Sequence, residues 1–453
     1  MNDWFEAEQR VERAQQLYES QRWLEALEEI TAAIEINPHN ALWHCNKGYI
    51  LDQLERYDEA IKAYEQALEL DPRDRQALTA LGANLMRTGR YAKALDVFEE
   101  CARQYPDYEP AYCHRIIAYA EIGQHDKAEE MFYLAQQLTT ECPHCYYNVG
   151  VSLADRQCWD RAIWCWKKTL ELEPHYPGAR TRIAEALRAK GDYQSAKTFY
   201  LAELREDPGD VDLLADLANL LWETGETAAA AEKYRQIVEL DPENAEAYSA
   251  LGRIALANGE LEPALDALQT AASLDDDCPG VHRYLGEAYL RLGRHAEARY
   301  HLSLALQRDP DNPHALMSMG NCLLETGRPT HAAAFFRRLV ELEPGLPGPH
   351  HNLGVCCFLR HKFGEGISHC LRALEVQPDY VMAMHKLVLA YLHLGRWSEA
   401  RRMIRRALSV DPDNAQIRQI ARRFRWHRLA KWFRTVFWPI EWLRRSLWRR
   451  TMC

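Results

Sequence analysis

Small and large apolar residues alternate along this chain with a period of 34. Gly48, Gly82, Gly150, Gly252, Gly286, Gly320 and Gly354 share one slot, which Ala14, Ala184 and Ala218 also fill. Twelve residues on stand Ala26, Ala60, Ala94, Ala128, Ala162, Ala196, Ala230, Ala264, Ala298, Ala332 and Ala400. Four further on, a large apolar residue recurs, as in Tyr64, Phe98, Phe132, Trp166, Tyr200, Tyr234 and Phe336. Two antiparallel helices approach closely only where the side chains at their crossing are small, and ridge-into-groove packing holds that crossing at one place per hairpin. The pattern therefore predicts a helical hairpin in every period, with the large residue filling the gap beside the small ones. Those large residues are core and not a cofactor box.

Polar and proline positions punctuate the same period. Pro38, Pro72, Pro106, Pro174, Pro208, Pro242, Pro310, Pro344, Pro378 and Pro412 form a ladder with two missing steps, Thr140 and Asp276. Three residues after each gap stands Pro143 or Pro279, expected to open the next helix at its first turn, where a missing N–H costs nothing. Asn40, Asp74, Asp210, Asn244, Asn312 and Asn414 follow ladder prolines by two, where a short polar side chain caps the next helix. Boundaries are expected near 40, 74, 108, 142, 176, 210, 244, 278, 312, 346 and 380. That divides residues 7–412 into twelve repeats and leaves 413–453 as a capping helix and tail.

The combined pattern of W/Y, L-G, Y, A, F, A and P resembles the tetratricopeptide repeat family over about residues 7–412. The resemblance implies an all-α, right-handed superhelical solenoid of about twelve helix A and helix B pairs, with A helices lining a concave groove for peptides or partner proteins. Departures are Gly366 for alanine, Ile116 and Val388 for glycine, and a first helix carrying Arg10 and Arg13 where apolar residues are usual. A polar first helix suits an N-terminal cap.

Net charge changes the picture at one end only. The whole chain carries -11, but residues 415–453 hold eleven basic groups against Glu441, which leaves 44 basic and 65 acidic groups in the first 414 residues. Opposed blocks of this kind contact different partners. An acidic repeat region would repel a long polyanion, so nucleic acid is not an expected partner of the repeats. The acidic start has no apolar signal region, and thirteen cysteines sit mostly at helical positions, which points to a reducing cytoplasm. The longest apolar window is broken by Lys431, Arg434 and Glu441, so no membrane-spanning helix is expected.

Candidate chemistry is sparse. Cys142, Pro143, His144 and Cys145 spell C-P-H-C, which resembles the redox centre of thioredoxin-like oxidoreductases, but that fold needs a preceding strand and a helix is expected here. Counted along the chain, the pair is half a zinc ligand set with no second C-x-x-C to complete it. An incidental loop, with no metal and no cofactor, is the expectation, and a reactive Cys142 thiolate or a Cys142–Cys145 disulfide is the alternative, because a helix N-terminus lowers a thiol's pKa. No phosphate-binding glycine loop or nucleophile elbow occurs, and no enzymatic activity is expected. His350 and His351 are adjacent, so they point to different sides of a helix, and are expected at the groove or surface.

One subset of the resembled family grips a partner's terminal carboxylate with lysines, asparagines and an arginine spread over three repeats. Asn321, Asn352 and Lys386 match three of those five slots, while Met317 and Met382 occupy the other two and cannot donate to a carboxylate. With His351 and His385 beside them, these residues make an adaptable apolar and polar groove surface.

In the tail, Leu429, Trp432, Phe433, Val436, Phe437, Ile440, Leu443 and Leu447 recur at helical steps of three and four. Arg428, Arg434, Arg444 and Arg445 fall between them, with Trp438, Trp442 and Trp448. Indole rings favour the headgroup region of a bilayer and arginines favour anionic surfaces. An interfacial amphipathic helix is one expectation for this segment, and a docking surface for protein or RNA is the other. The function expected is a scaffold or adaptor, with peripheral attachment to the cytoplasmic face of a membrane.

Overall fold

A computed structural model describes residues 2–138 and 141–422, and the chain divides into two compact units, Met1–Ala230 and Ala231–Cys453. The regular elements among the described residues are helices. Unit one holds α1 (Asn2–Glu19), α2 (Trp23–Ile36), α3 (Ala41–Gln53), α4 (Tyr57–Leu70), α5 (Arg75–Arg87), α6 (Tyr91–Gln104) and α7 (Glu109–Glu121). It continues with α8 (His125–Leu138), α9 (Pro143–Asp155), α10 (Trp159–Leu172), α11 (Ala179–Ala189), α12 (Tyr193–Glu203) and α13 (Val211–Glu223). Unit two begins within α14 (Thr227–Leu240) and contains α15 (Ala245–Asn258), α16 (Leu261–Leu274), α17 (Val281–Arg291), α18 (His295–Arg308) and α19 (Pro313–Glu325). It is completed by α20 (Pro329–Leu342), α21 (Pro347–Leu359), α22 (Phe363–Val376), α23 (Val381–His393) and α24 (Trp397–Val410), with a last helical stretch over 415–422.

Within each unit, odd-numbered helices pack on the even-numbered helix that follows, as α3 does on α4 and α21 on α22. Every substantial pairing joins elements one or two apart in the chain, so each unit is a solenoid held by nearest-neighbour contacts.

The crossing of each hairpin is where the sequence period becomes packing. A Cβ built on Gly82 would lie 2.4 Å from the Phe98 ring, and one on Gly150 would lie 2.6 Å from Trp166 Nε1. In unit two the same overlap is 2.5 Å between Gly320 and Phe336. The small slot and the large slot sixteen residues later are thus two halves of one contact. Phe98, Trp166 and Phe336 are fully buried there, each burial being worth about 1.5–3 kcal/mol.

The caps form where polar residues follow the ladder prolines. Asp74 Oδ1 accepts from Ala77 N at 3.1 Å, Asn244 Oδ1 from Ala247 N at 2.9 Å, and Asn312 Oδ1 from Ala315 N at 3.0 Å. Pro143 opens α9 as expected, but Pro279 does not open α17. That helix starts at Val281, because Gly280 holds a left-handed φ of +75° that interrupts the helical backbone.

The turn inside each hairpin uses a further periodic slot. Gly89, with φ +72°, donates its N–H to Met86 O at 2.9 Å, and Arg90 N reaches back to Leu85 O at 2.7 Å. Gln21, Glu55, Gln157 and His361 occupy the same slot with φ between 57° and 60°, a conformation that glycine adopts without strain and other residues do not.

Candidate functional site

The groove residues singled out in sequence lie on three successive odd-numbered helices of unit two. Met317 and Asn321 are one turn apart on α19, His351 and Asn352 are neighbours on α21, and Met382, His385 and Lys386 share α23. Asn352 Nδ2 donates to Asn321 Oδ1 at 3.0 Å and approaches Met317 Sδ at 3.5 Å. Three of the side chains therefore form one contact between two repeats.

His351 is buried, its ring set edge-on against Tyr380 at 5.7 Å. Burial, with Lys386 and His385 nearby, lowers its pKa to about 4, so it is neutral at physiological pH. Met382 is 58% exposed and accepts a contact from the Tyr380 hydroxyl at 3.6 Å. Tyr380 was not anticipated as a groove residue, because it stands just before α23 and not on it. The expectation that His350 and His351 are groove or surface residues needs correcting, since both are buried. They do point apart, with His350 facing His369 of α22.

The tail residues Arg428, Trp432, Phe433, Arg434, Phe437, Trp438, Trp442, Arg444, Arg445 and Trp448 lie outside the described residues.

A second constellation was only half visible along the chain. Glu109 and Cys113 stand one turn apart on α7, Cys142 caps α9, and Cys145 lies in the first turn of α9. One ligand-type atom from each falls within 4.8 Å of all the others. Glu109 Oε1 accepts from the Cys142 thiol at 2.7 Å and the Cys145 thiol at 3.0 Å. The three sulfurs are buried and Glu109 is half-buried. The crowding of the three sulfurs lowers the pKa of Cys113 and raises those of Cys142 and Cys145. The signal in the sequence was the i, i+4 spacing of Glu109 and Cys113, which places both on one helix face.

Two family models, each described as tetratricopeptide repeat, match this chain. One covers residues 11–75, 45–109, 147–211, 215–277, 262–313 and 285–347, and the other covers 381–421. The chain belongs to the tetratricopeptide repeat family. As a tetratricopeptide repeat solenoid, it has the fold of proteins that bind other proteins or peptides. No curated protein matches it.

Among solved structures, this tetratricopeptide repeat chain is similar to the Cut9–Hcn1 hetero-tetramer of APC/C, at 13% identity over 91% of this chain and 95% of that one, with a TM-score of 0.48. It is similar to yeast Tom70 at 14% identity, over 97% and 99% of the two chains, with a TM-score of 0.39. A tetratricopeptide repeat protein from Parabacteroides merdae is 21% identical over 55% of this chain and 98% of its own, with a TM-score of 0.41. At these identities the likeness extends to fold alone.

Proposed function

We propose that this chain is a non-enzymatic scaffold or adaptor that holds an extended partner peptide on α19, α21 and α23, with Lys386 meeting a carboxylate of that peptide. The observation that carries this reading is the Asn352–Asn321–Met317 contact beside Lys386 and the exposed Met382. Asparagine amides match the donors and acceptors of a peptide backbone, and methionines adapt to varied side chains. Buried and neutral, His351 packs edge-on against Tyr380 and brings no competing charge to the site.

The test uses fluorescence anisotropy with a set of acidic peptides bearing either a free or an amidated C-terminus. A hydrogen bond to a charged group contributes about 1.5–3 kcal/mol, so Lys386→Ala is expected to weaken binding about tenfold or more. Asn352→Ala weakens it by disrupting the contact with Asn321, and both effects appear with helical circular dichroism unchanged. Equal affinities for wild type and both variants would place the binding site elsewhere.

The same proposal includes peripheral attachment through the tail at the cytoplasmic face of a membrane. It is supported by the eleven basic groups and the tryptophans of residues 415–453, and no described helix is long and apolar enough to cross a bilayer. In sedimentation with vesicles containing anionic lipid, the full chain is expected to pellet, to release in high salt, and to lose binding when residues 426–453 are removed. Undiminished pelleting by the truncated chain, or none by either, would leave the tail as a docking surface for protein or RNA.

A further inference from the structure

Thiol sulfurs and a carboxylate converge at the junction of the fourth and fifth hairpins. Cys113 on α7 and Cys142 and Cys145 on α9 supply three buried sulfurs, and Glu109, one turn before Cys113, supplies an oxygen. All four ligand atoms lie within 4.8 Å of one another. Zinc bonds to cysteine sulfur at about 2.3 Å and to carboxylate oxygen at about 2.0–2.2 Å, so a tetrahedral set has its ligand atoms about 3.5–3.8 Å apart. The observed separations, from 2.7 Å between Glu109 Oε1 and the Cys142 sulfur up to at most 4.8 Å, bracket that spacing. We infer that Glu109, Cys113, Cys142 and Cys145 bind one structural zinc ion that ties α7 to the start of α9.

The surroundings support the ligand set independently. The capping slot that holds Asp74, Asp210, Asn244 and Asn312 in other repeats holds Cys142 here, and its sulfur accepts the Cys145 backbone N–H at 3.1 Å. A thiol is a weak acceptor, whereas a metal-bound thiolate carries the negative charge that helix N-termini favour. Asn148 Nδ2 donates to Cys113 Sγ at 3.3 Å, an outer contact of the kind that orients a metal ligand. Thiolate-rich tetrahedral sites favour zinc over magnesium or calcium.

The placement also has a structural purpose. The step between α8 and α9 is one of the two where the proline ladder fails, with Thr140 in its place. Four protein ligands leave no open position, so the site is closed and structural, not catalytic. All four cysteine and glutamate positions lie in unit one, apart from the groove of α19, α21 and α23, so this inference stands independently of the proposed function.

The test is metal analysis of the full chain purified under reducing conditions, followed by titration of the metal-free protein with cobalt(II). We expect one zinc per chain, and cobalt spectra with tetrahedral d–d bands and thiolate charge-transfer absorption that zinc abolishes. Cys142→Ser with Cys145→Ser should lose the signal, and Cys45→Ser, a buried cysteine outside the cluster, should keep it. Glu109→Ala should weaken affinity while retaining the thiolate absorption, with water taking the fourth position. Absence of both zinc and cobalt spectra in the wild-type chain would overturn the inference, and so would metal retained by the double serine variant. A Cys142–Cys145 disulfide trapped by alkylation at lysis would also overturn it, in favour of a redox pair. The wild-type titration decides the matter even if the double variant does not fold.

Discussion

Replacing Trp166 with alanine is expected to destabilise unit one by about 3–5 kcal/mol, the usual cost of removing a large buried aromatic side chain. Trp166 is 2% exposed, its ring seats against Gly150, and its Nε1 donates to Tyr147 O at 3.1 Å. Truncation leaves a cavity at the crossing of α9 and α10 and removes the indole hydrogen bond to Tyr147 O. Because the repeats communicate through nearest neighbours, the loss spreads to the packing of α10 on α11. Urea denaturation followed by far-ultraviolet circular dichroism measures it. Trp166→Phe separates the two causes, because it keeps most of the ring volume and removes only the hydrogen bond, at about 1 kcal/mol. A Trp166→Ala midpoint close to wild type would show that this hairpin is held by something other than its crossing.

The second large effect belongs to the opposite partner of the same kind of contact. Gly82→Ala is expected to cost about 1–3 kcal/mol through overpacking, because the added Cβ would lie 2.4 Å from the Phe98 ring. Phe98→Ala alone costs about 3–5 kcal/mol by leaving a cavity. The double variant should cost less than the sum by about 0.5–3 kcal/mol, since removing the ring makes room for the new methyl group. Strict additivity would mean that the glycine serves the backbone and not the crossing. The slot is not closed to side chains in principle, for Ile116 and Val388 are buried in it. What excludes one at residue 82 is the proximity of a fully buried phenylalanine.

The two candidate sites differ in how a binding event would be felt. The groove presents exposed Met382 and half-buried Asn321, Asn352 and Lys386, so a ligand there meets side chains on three helices without unfolding any of them. The sulfur cluster is buried at a helix start, so an ion there acts on the folding of unit one itself.

What the sequence determined by itself is everything that repeats. Glycine or alanine at one slot, alanine twelve residues on and a large apolar residue four further state a hairpin crossing, because close approach of two helices permits few other combinations. Asp74, Asn244 and Asn312 announced the helix starts because a capping oxygen acts within three residues of itself. The left-handed turn slot escaped notice because Gln21, Glu55, Gln157 and His361 interrupt its glycines, and a φ angle forced by a turn leaves no mark in such residues. Tertiary structure alone decided which unrelated positions meet. Asn352 reaches Asn321 across 31 residues, and Glu109 reaches Cys142 and Cys145 across 33 and 36. Those separations are close to one repeat, because stacking brings equivalent faces of successive odd-numbered helices side by side. The period predicts that such neighbours exist, but their chemistry depends on residues the packing leaves free to vary.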